Sequence, residues 1–418
     1  MPHNLIERIK YRVFLKSLRF RSPINIPLDK ILVGQQNGTP SQNWFRQTGD
    51  KSRFSTLLQD SPYVLFLREV DSWPSLLDDD AALQKTSYYK MADLCRVYAG
   101  TFFNLTTPQE ICQGMRQYYR LYRKFDLYSQ TESIEDYKKP PSNSYLESHG
   151  HSAAECFPVV NKIIDSDMYE VEDGHHRLAI MLMKGYKITP VILRGKKRTF
   201  IQEELLRVNQ TVGPELYQPV PLPEVQTWTL VRNCQDRFTM MMQFLKQKQL
   251  TTNDLSFLDC ACSYGWFVKQ FKNIGFNVIG LDKDINATKI GQLVYALEES
   301  DFQNVRLEKF LSINKSKFDI VLCLSILHHY AINKEDGSPE DILRSLTKIT
   351  GKVLFIDTGQ SHEQWLQKTL PLWNPAFIHS FLLKHGDFAE VVPLGLDKDN
   401  VGKFRDNYGR TLFACLKG

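Results

Sequence analysis

Residues 257–266 read Phe257-Leu258-Asp259-Cys260-Ala261-Cys262-Ser263-Tyr264-Gly265-Trp266, and this stretch decides the fold of the C-terminal half. An apolar run ends in an acid, small residues follow at alternate positions, and a helical pattern starts near Trp266-Phe267. Small side chains at Ala261, Ser263 and Gly265 let the backbone turn sharply and approach a ligand closely. The next apolar run, Val278-Ile279-Gly280-Leu281, ends in Asp282. An acid at the tip of a second strand can accept hydrogen bonds from ribose hydroxyls, as in dinucleotide folds. Working outward, strands are predicted at 256–260, 277–281, 304–307, 318–322, 352–356, 389–393 and 411–416, alternating with helices and preceded by a helical run near 232–249. That alternation predicts an α/β fold with a doubly wound, mostly parallel, seven-stranded sheet.

The region from about 228 to 418 resembles the class I S-adenosylmethionine-dependent methyltransferases, which have a Rossmann-like fold. Their first motif usually reads Asp-x-Gly-x-Gly-x-Gly, and Asp259, Ala261, Ser263 and Gly265 occupy those positions here, with two glycines replaced by other small residues. The resemblance implies that Asp259 and the loop backbone hold the methionine part of the cofactor and Asp282 its ribose. It places Glu308 as the adenine-proximal acid, with Leu311 or Ser312 taking that place under a shifted register. Phe318–Ser325 looks like the family's fourth motif and leads to His328-His329-Tyr330, while Tyr408–Phe413 fits the last strand.

Methyl transfer needs little covalent help, because the sulfonium carbon is already electrophilic and the protein must mainly align a nucleophile with it. A sugar or phenolic hydroxyl benefits from a base, and His328, His329 or Asp357, after the fifth strand, are the candidates. A phosphate or carboxylate oxygen needs none, and the histidines would then only position it.

A second constellation is Tyr169-Glu170-Val171-Glu172-Asp173-Gly174-His175-His176-Arg177-Leu178. A short strand leads through an Asp-Gly turn into a helix, and Gly185–Leu193 closes the unit with another strand. A helix N-terminus carrying Gly, His and Arg is suited to phosphate, since open N–H groups meet a fixed cation. The bland alternative is a structural turn whose Arg pairs locally with Glu172 or Asp173. The order resembles the ParB/sulfiredoxin-like module, some members of which bind CTP or ATP and some of which are kinases. By position, Asp173, Gly174, His175, His176 and Arg177 would surround a nucleotide, ATP with Mg among the options, with Glu172 or Asp173 available to a metal or hydroxyl. Helical proteins with such a box, sometimes joined to a methyltransferase, look like those encoded beside bacterial surface-polysaccharide enzymes. The resemblance therefore suggests a glycan or phosphorylated glycan terminus as methyl acceptor and leaves kinase activity open. A small-molecule (natural-product) O-methyltransferase with a purely structural module is the alternative.

The 418 residues carry 52 Lys and Arg against 47 Asp and Glu. Arg8, Lys10, Arg12, Lys16, Arg19 and Arg21 against Glu7 account for the whole surplus within residues 1–23. This basic segment suits an anionic membrane surface or a phosphorylated substrate, or a docking helix with a solvated face. No basic stripe lies elsewhere, and the fourth strand ends in Cys-Leu-Ser-Ile rather than the Asn/Asp-Pro-Pro-aromatic turn of enzymes that methylate flipped bases. Both observations speak against the remaining alternative, a nucleic-acid-associated methyltransferase. Eight cysteines, without paired CxxC spacing, read as reduced thiols in a cytoplasmic protein, peripheral at the inner face of the membrane if the basic segment docks there. No metal-ligand motif is apparent. The predicted division is a basic segment at 1–24, a helical region at 25–140, the ParB-like module at 141–210, a Pro-rich linker at 211–226 and the methyltransferase domain at 227–418.

Overall fold

A computed structural model of the chain describes residues 22–36, 39–40, 55–103, 105–124, 157–209, 213–251, 254–398 and 409–418. The basic segment, apart from its last residues, and Tyr408 lie outside them. The chain divides into two compact units, Met1–Phe200 and Ile201–Gly418.

In the first unit, six strands form one mixed sheet: β1 (Ile24–Pro27), β2 (Ile31–Val33), β3 (Thr56–Leu57), β4 (Val159–Ile163), β5 (Tyr169–Asp173) and β6 (Ile188–Lys197). Their order is β1-β6-β4-β5-β2-β3. Helices α1 (Pro62–Ser72), α2 (Ser87–Ala99), α3 (Pro108–Lys124) and α4 (His175–Met183) share one core with this sheet, in which Phe66, Met115, Val160, Val171 and Ile180 are buried. The apolar and aromatic stripe of α3 is core, with Ile111, Tyr118 and Tyr122 buried beside Met115. The helical region is thus not separate from the middle module, because β1 and β2 pair with strands of that module and β3 adds to the sheet beside β2. These strands are two to four residues long, too short to show the period-two pattern by which strands are read.

Helix α5 (Phe200–Asn209) begins at the boundary between the units. The Pro-rich stretch does not run as a free linker. From residue 213 it belongs to the second unit, where Glu215–Leu216 pairs in parallel with Thr229–Leu230 and Gln218, Val220, Glu224 and Val225 are buried. The prolines do exclude helix and central strand, but the apolar residues between them fasten the stretch down as a strap.

After α6 (Gln235–Gln247) come β7 (Ser256–Cys260), α7 (Trp266–Asn273), β8 (Asn277–Asp282), α8 (Ile285–Tyr295), β9 (Phe302–Asn304) and α9 (Leu307–Ile313). They are followed by β10 (Phe318–Leu324), α10 (Leu327–Ala331), α11 (Pro339–Ile349), β11 (Thr350–Asp357), α12 (Pro375–His385), β12 (Glu390–Leu396) and β13 (Thr411–Leu416). The seven strands run in the order β9-β8-β7-β10-β11-β13-β12, the first five parallel and β13 antiparallel to both its neighbours. This is the expected Rossmann-like α/β sheet. β7, β10 and β11 read as continuous apolar runs because a parallel sheet is covered on both faces. The third strand differs from expectation: it ends at Asn304, and Leu307 opens α9, where Leu307 and Phe310 share the buried side. Seven of the cysteines lie in the described residues, and all seven are buried.

Candidate active site

β7 is flanked by β8 on one side and β10 on the other, so the chain leaves it in opposite directions and a crevice opens at the carboxyl ends of the strands. The loop leaving β7 enters that crevice. Ala261, Ser263 and Gly265 all adopt left-handed backbone angles, with φ of 59°, 54° and 83°. A side chain in that conformation costs about 1–2 kcal/mol per residue, so the loop accepts strain at the first two positions. Backbone bonds hold it there: Cys262 N donates to Leu281 O at 2.8 Å and Gly265 N to Cys262 O at 2.9 Å. Helix α8 packs so closely that a Cβ built at Gly291 would overlap the Tyr264 carbonyl oxygen. From the strap, Gln218 reaches the same loop, its Nε2 donating to Cys262 O at 3.2 Å and its Oε1 accepting from Trp266 N at 3.3 Å.

Asp259 is buried, and its Oδ2 has no hydrogen-bond partner among the described residues. Burial pushes its carboxyl up to about 8, against the pull of Arg237. Asp282, at the tip of β8, ties two loops together by accepting from Ser263 N through Oδ2 and from Asp284 N through Oδ1, each at 2.8 Å. Burial raises its carboxyl, and these two N–H groups oppose the rise. Glu308 lies in the first turn of α9, where it accepts the Tyr330 hydroxyl at 2.9 Å and meets Arg306 at 3.6 Å. The crevice thus gathers Asp259 and Asp282 from two paired strands and the strained loop that leaves the first of them.

On the other side of the switch point, α10 carries His328 and His329 with ring centroids 4.2 Å apart. His328 is buried, and its Nδ1 accepts from Gly359 N at 3.0 Å. This bond places the proton of the neutral ring on Nε2, and burial lowers its pKa to about 2. With the proton there, His328 offers a hydrogen-bond donor at Nε2. His329 is half-buried, and its pKa is lowered by burial and then by Lys334, so its ring is neutral at physiological pH. Asp357 is buried at the end of β11. Burial alone would raise its carboxyl, but Arg237, Arg410 and Arg232 outweigh burial and hold it at about 2. Its Oδ2 meets Arg237 at 3.0 Å, and its Oδ1 accepts from Ser325 N at 2.7 Å.

Around Asp357 lies a buried cluster that sequence reading missed. Arg232 pairs with Asp397, and Arg410 makes a bidentate pair with Glu363, both bonds at 2.8 Å. Three guanidinium groups and three carboxylates thus balance one another. Their partners lie up to 165 residues apart, and nothing in local sequence announces such pairs.

In the first unit, the residues predicted to surround a phosphate are drawn apart. His176 is enclosed by Tyr63, Phe103 and Tyr118, and its Nε2 lies 2.6 Å from the Tyr88 hydroxyl. Burial lowers its pKa to about 3. His175 is buried too, stacked on Tyr63 with centroids 5.3 Å apart. Both rings serve the aromatic core, because a helix entered at Gly174 turns these positions inward. Arg177 meets Asp173 at 3.3 Å, and Glu172 is held by Arg194 and Asn161. Gly174, with φ 93°, makes the predicted turn.

Residues 258–352 match the family described as "Methyltransferase domain". Among curated proteins, the chain is similar to the "Ubiquinone biosynthesis O-methyltransferase" of Histophilus somni, with 24% identity over 30% of this chain and 53% of the relative. The protein of the same description from Idiomarina loihiensis is 27% identical over 26% of this chain and 44% of the relative. The chain thus spans about half the length of the curated relatives it matches. Among solved structures, that of WbdD is 18% identical, with a TM-score of 0.40 over 50% of this chain and 46% of that one. The SAM-bound magnesium protoporphyrin IX methyltransferase of Synechocystis is 17% identical, with a TM-score of 0.33 over 44% and 79%.

Proposed function

We propose that the protein is an S-adenosylmethionine-dependent O-methyltransferase whose cofactor lies on the loop 259–265 and whose acceptor approaches beside α10. One observation carries this reading: a buried carboxylate oxygen of Asp259, without a partner among the described residues, stands at the switch point beside a left-handed loop that its neighbours hold in place. Leaving such an oxygen unmatched costs about 1–3 kcal/mol or more, which a bound ammonium or other donor would restore. The residues fit the cofactor. Asp259 and the loop N–H groups would hold its methionine part, Asp282 its ribose hydroxyls, and Glu308 would stand at the adenine side. When bound, the cofactor supplies the methyl group on a positively charged sulfur.

The chain's own task is alignment and proton removal. His329, neutral and half-buried, takes the proton of an attacking hydroxyl, and the Nε2–H of His328 donates to an acceptor oxygen. The description of the curated relatives favours oxygen as the methylated atom. The substrate class proposed is a hydroxylated glycan, phosphorylated glycan terminus or small molecule. The test is calorimetry: Asp282→Ala loses a charge-assisted bond and binds the cofactor about ten- to a hundredfold more weakly. Equal affinity in the variant would end the ribose assignment.

A second role belongs to the first unit. Its ParB-like reading, with a nucleotide or phosphosugar bound, kinase chemistry with ATP and Mg, and a polysaccharide setting, now rests on the Gly174 turn into α4. A nucleotide panel with magnesium, read by thermal shift and phosphate transfer for wild type and Arg177→Ala, tests it. No response to any nucleotide or sugar phosphate would make the unit structural. Among the described residues, no helix is long and apolar enough to cross a membrane. Contact of residues 1–23 with an anionic membrane surface is part of the proposal and is tested by vesicle sedimentation.

A further inference from the structure

Trp365 is 43% exposed, which by itself is ordinary for a surface aromatic. Its anchoring is not ordinary. The indole Nε1 donates to Glu363 Oε2 at 3.1 Å, and Glu363 is wholly buried in its bidentate pair with Arg410. The other carboxylate oxygen also accepts from Gln360 N at 2.8 Å, which fixes the chain between β11 and the indole. A buried ion pair thus holds an exposed ring in one orientation. The His328 ring stands against it edge-on, with centroids 5.5 Å apart and planes at 70°. The exposed Lys334 places its Nζ 5.4 Å from the indole centroid.

We propose that Trp365 is the stacking platform for the methyl acceptor, and that the acceptor is a six-membered ring bearing a hydroxyl and an anionic substituent. A flat ring face, sugar or aromatic, buries apolar area on the indole at little entropic cost because the indole is already fixed. Stacked there, the ring holds its hydroxyl beside the histidine pair. Lys334, whose flexible stem can swing off the indole face, meets the anionic substituent. The inference rests on the methyltransferase reading and deepens it by naming the acceptor class.

The experiment uses the full chain. Calorimetry with S-adenosylmethionine comes first, and a wild type that does not bind it refutes the methyltransferase reading rather than this one. Formation of S-adenosylhomocysteine is then followed with catechol, 3,4-dihydroxybenzoate, methyl glucoside and glucose 1-phosphate, which separate aromatic from sugar rings and neutral from anionic ones. The expected result is turnover of an anionic ring. Trp365→Ala lowers its kcat/KM about ten- to a hundredfold, mostly through KM, at unchanged cofactor affinity, as loss of a stacking contact does. Trp365→Phe restores most of this loss, and Lys334→Gln weakens the anionic probes alone. Wild-type kcat/KM in Trp365→Ala overturns the proposal. So does a wild type that binds the cofactor yet neither methylates any probe nor changes its tryptophan fluorescence with one.

Discussion

At the residue scale, the proposed cofactor site depends on pH through Asp259. Its carboxyl is pushed up to about 8, mainly by burial, so the ligand-free protein holds a proton there at neutral pH. A cofactor ammonium or hydrogen-bond donor requires the ionised form, so the proton must leave on binding. Affinity for S-adenosylmethionine should therefore rise with pH and level off above about 8. Calorimetry in buffers of different ionisation enthalpy should register proton release. The same shift acts on stability with the opposite sign. The folded state holds a proton that the unfolded state has lost above its ordinary value of 3.8, so this group's contribution falls as pH rises from there to about 8. Asp259→Asn should flatten both dependences, as affinity and melting temperature against pH would show. The histidines separate in the same way. His329→Ala should lower turnover of a hydroxyl acceptor about 10²–10⁴-fold with cofactor affinity retained. His328→Ala removes the acceptor of the Gly359 N–H, so its effect should also appear in the melting temperature.

At the scale of elements, the loop and α8 form one piece of the site. Gly291→Ala puts a methyl group where the Tyr264 carbonyl stands, so either the helix or the loop must move. Overpacking of this kind costs about 1–3 kcal/mol, and cofactor affinity should fall with stability, read by calorimetry and thermal melting side by side. Sequence reading found the loop because small residues after an apolar run leave few other structures open, and it found Asp282 because a strand's end is marked by its first charge. It could not find Gly291, whose constraint comes from a carbonyl that only the fold brings near. It read the histidine pair but not the Gly359 N–H that decides the tautomer of His328. In the first unit it placed the Gly174 turn, yet gave to a phosphate two histidines that the fold turns into the aromatic core, because every residue of α4 after Arg177 is apolar and no polar face can be read from it. β1, β2 and β3 escaped by being too short to alternate.

At the scale of the whole molecule, the strap changes where the second unit begins. Gln218 bonds the loop after β7 twice, and the Tyr295 hydroxyl donates to Pro219 O, so residues from 213 onward help to hold that loop in place. A chain starting at Ile201 should bind S-adenosylmethionine as the full chain does. One starting at residue 227, where the sequence alone places the domain, should bind about tenfold more weakly, since two hydrogen bonds of about 0.5–1.5 kcal/mol each are gone. The buried cysteines provide a further reading of the same architecture. Cys95 and Cys112 sit in the first unit, and Cys234, Cys260, Cys262, Cys323 and Cys415 in the second. None of these thiols can meet an alkylating reagent until its surroundings open, and reaction follows the thiolate once they do. The order in which a mass spectrometer sees them alkylated is therefore a map of local opening. Cys260 and Cys262 flank the strained turn at Ala261, and a bound cofactor should delay those two more than Cys95 and Cys112, so the chain carries its own internal clock for occupancy of the site.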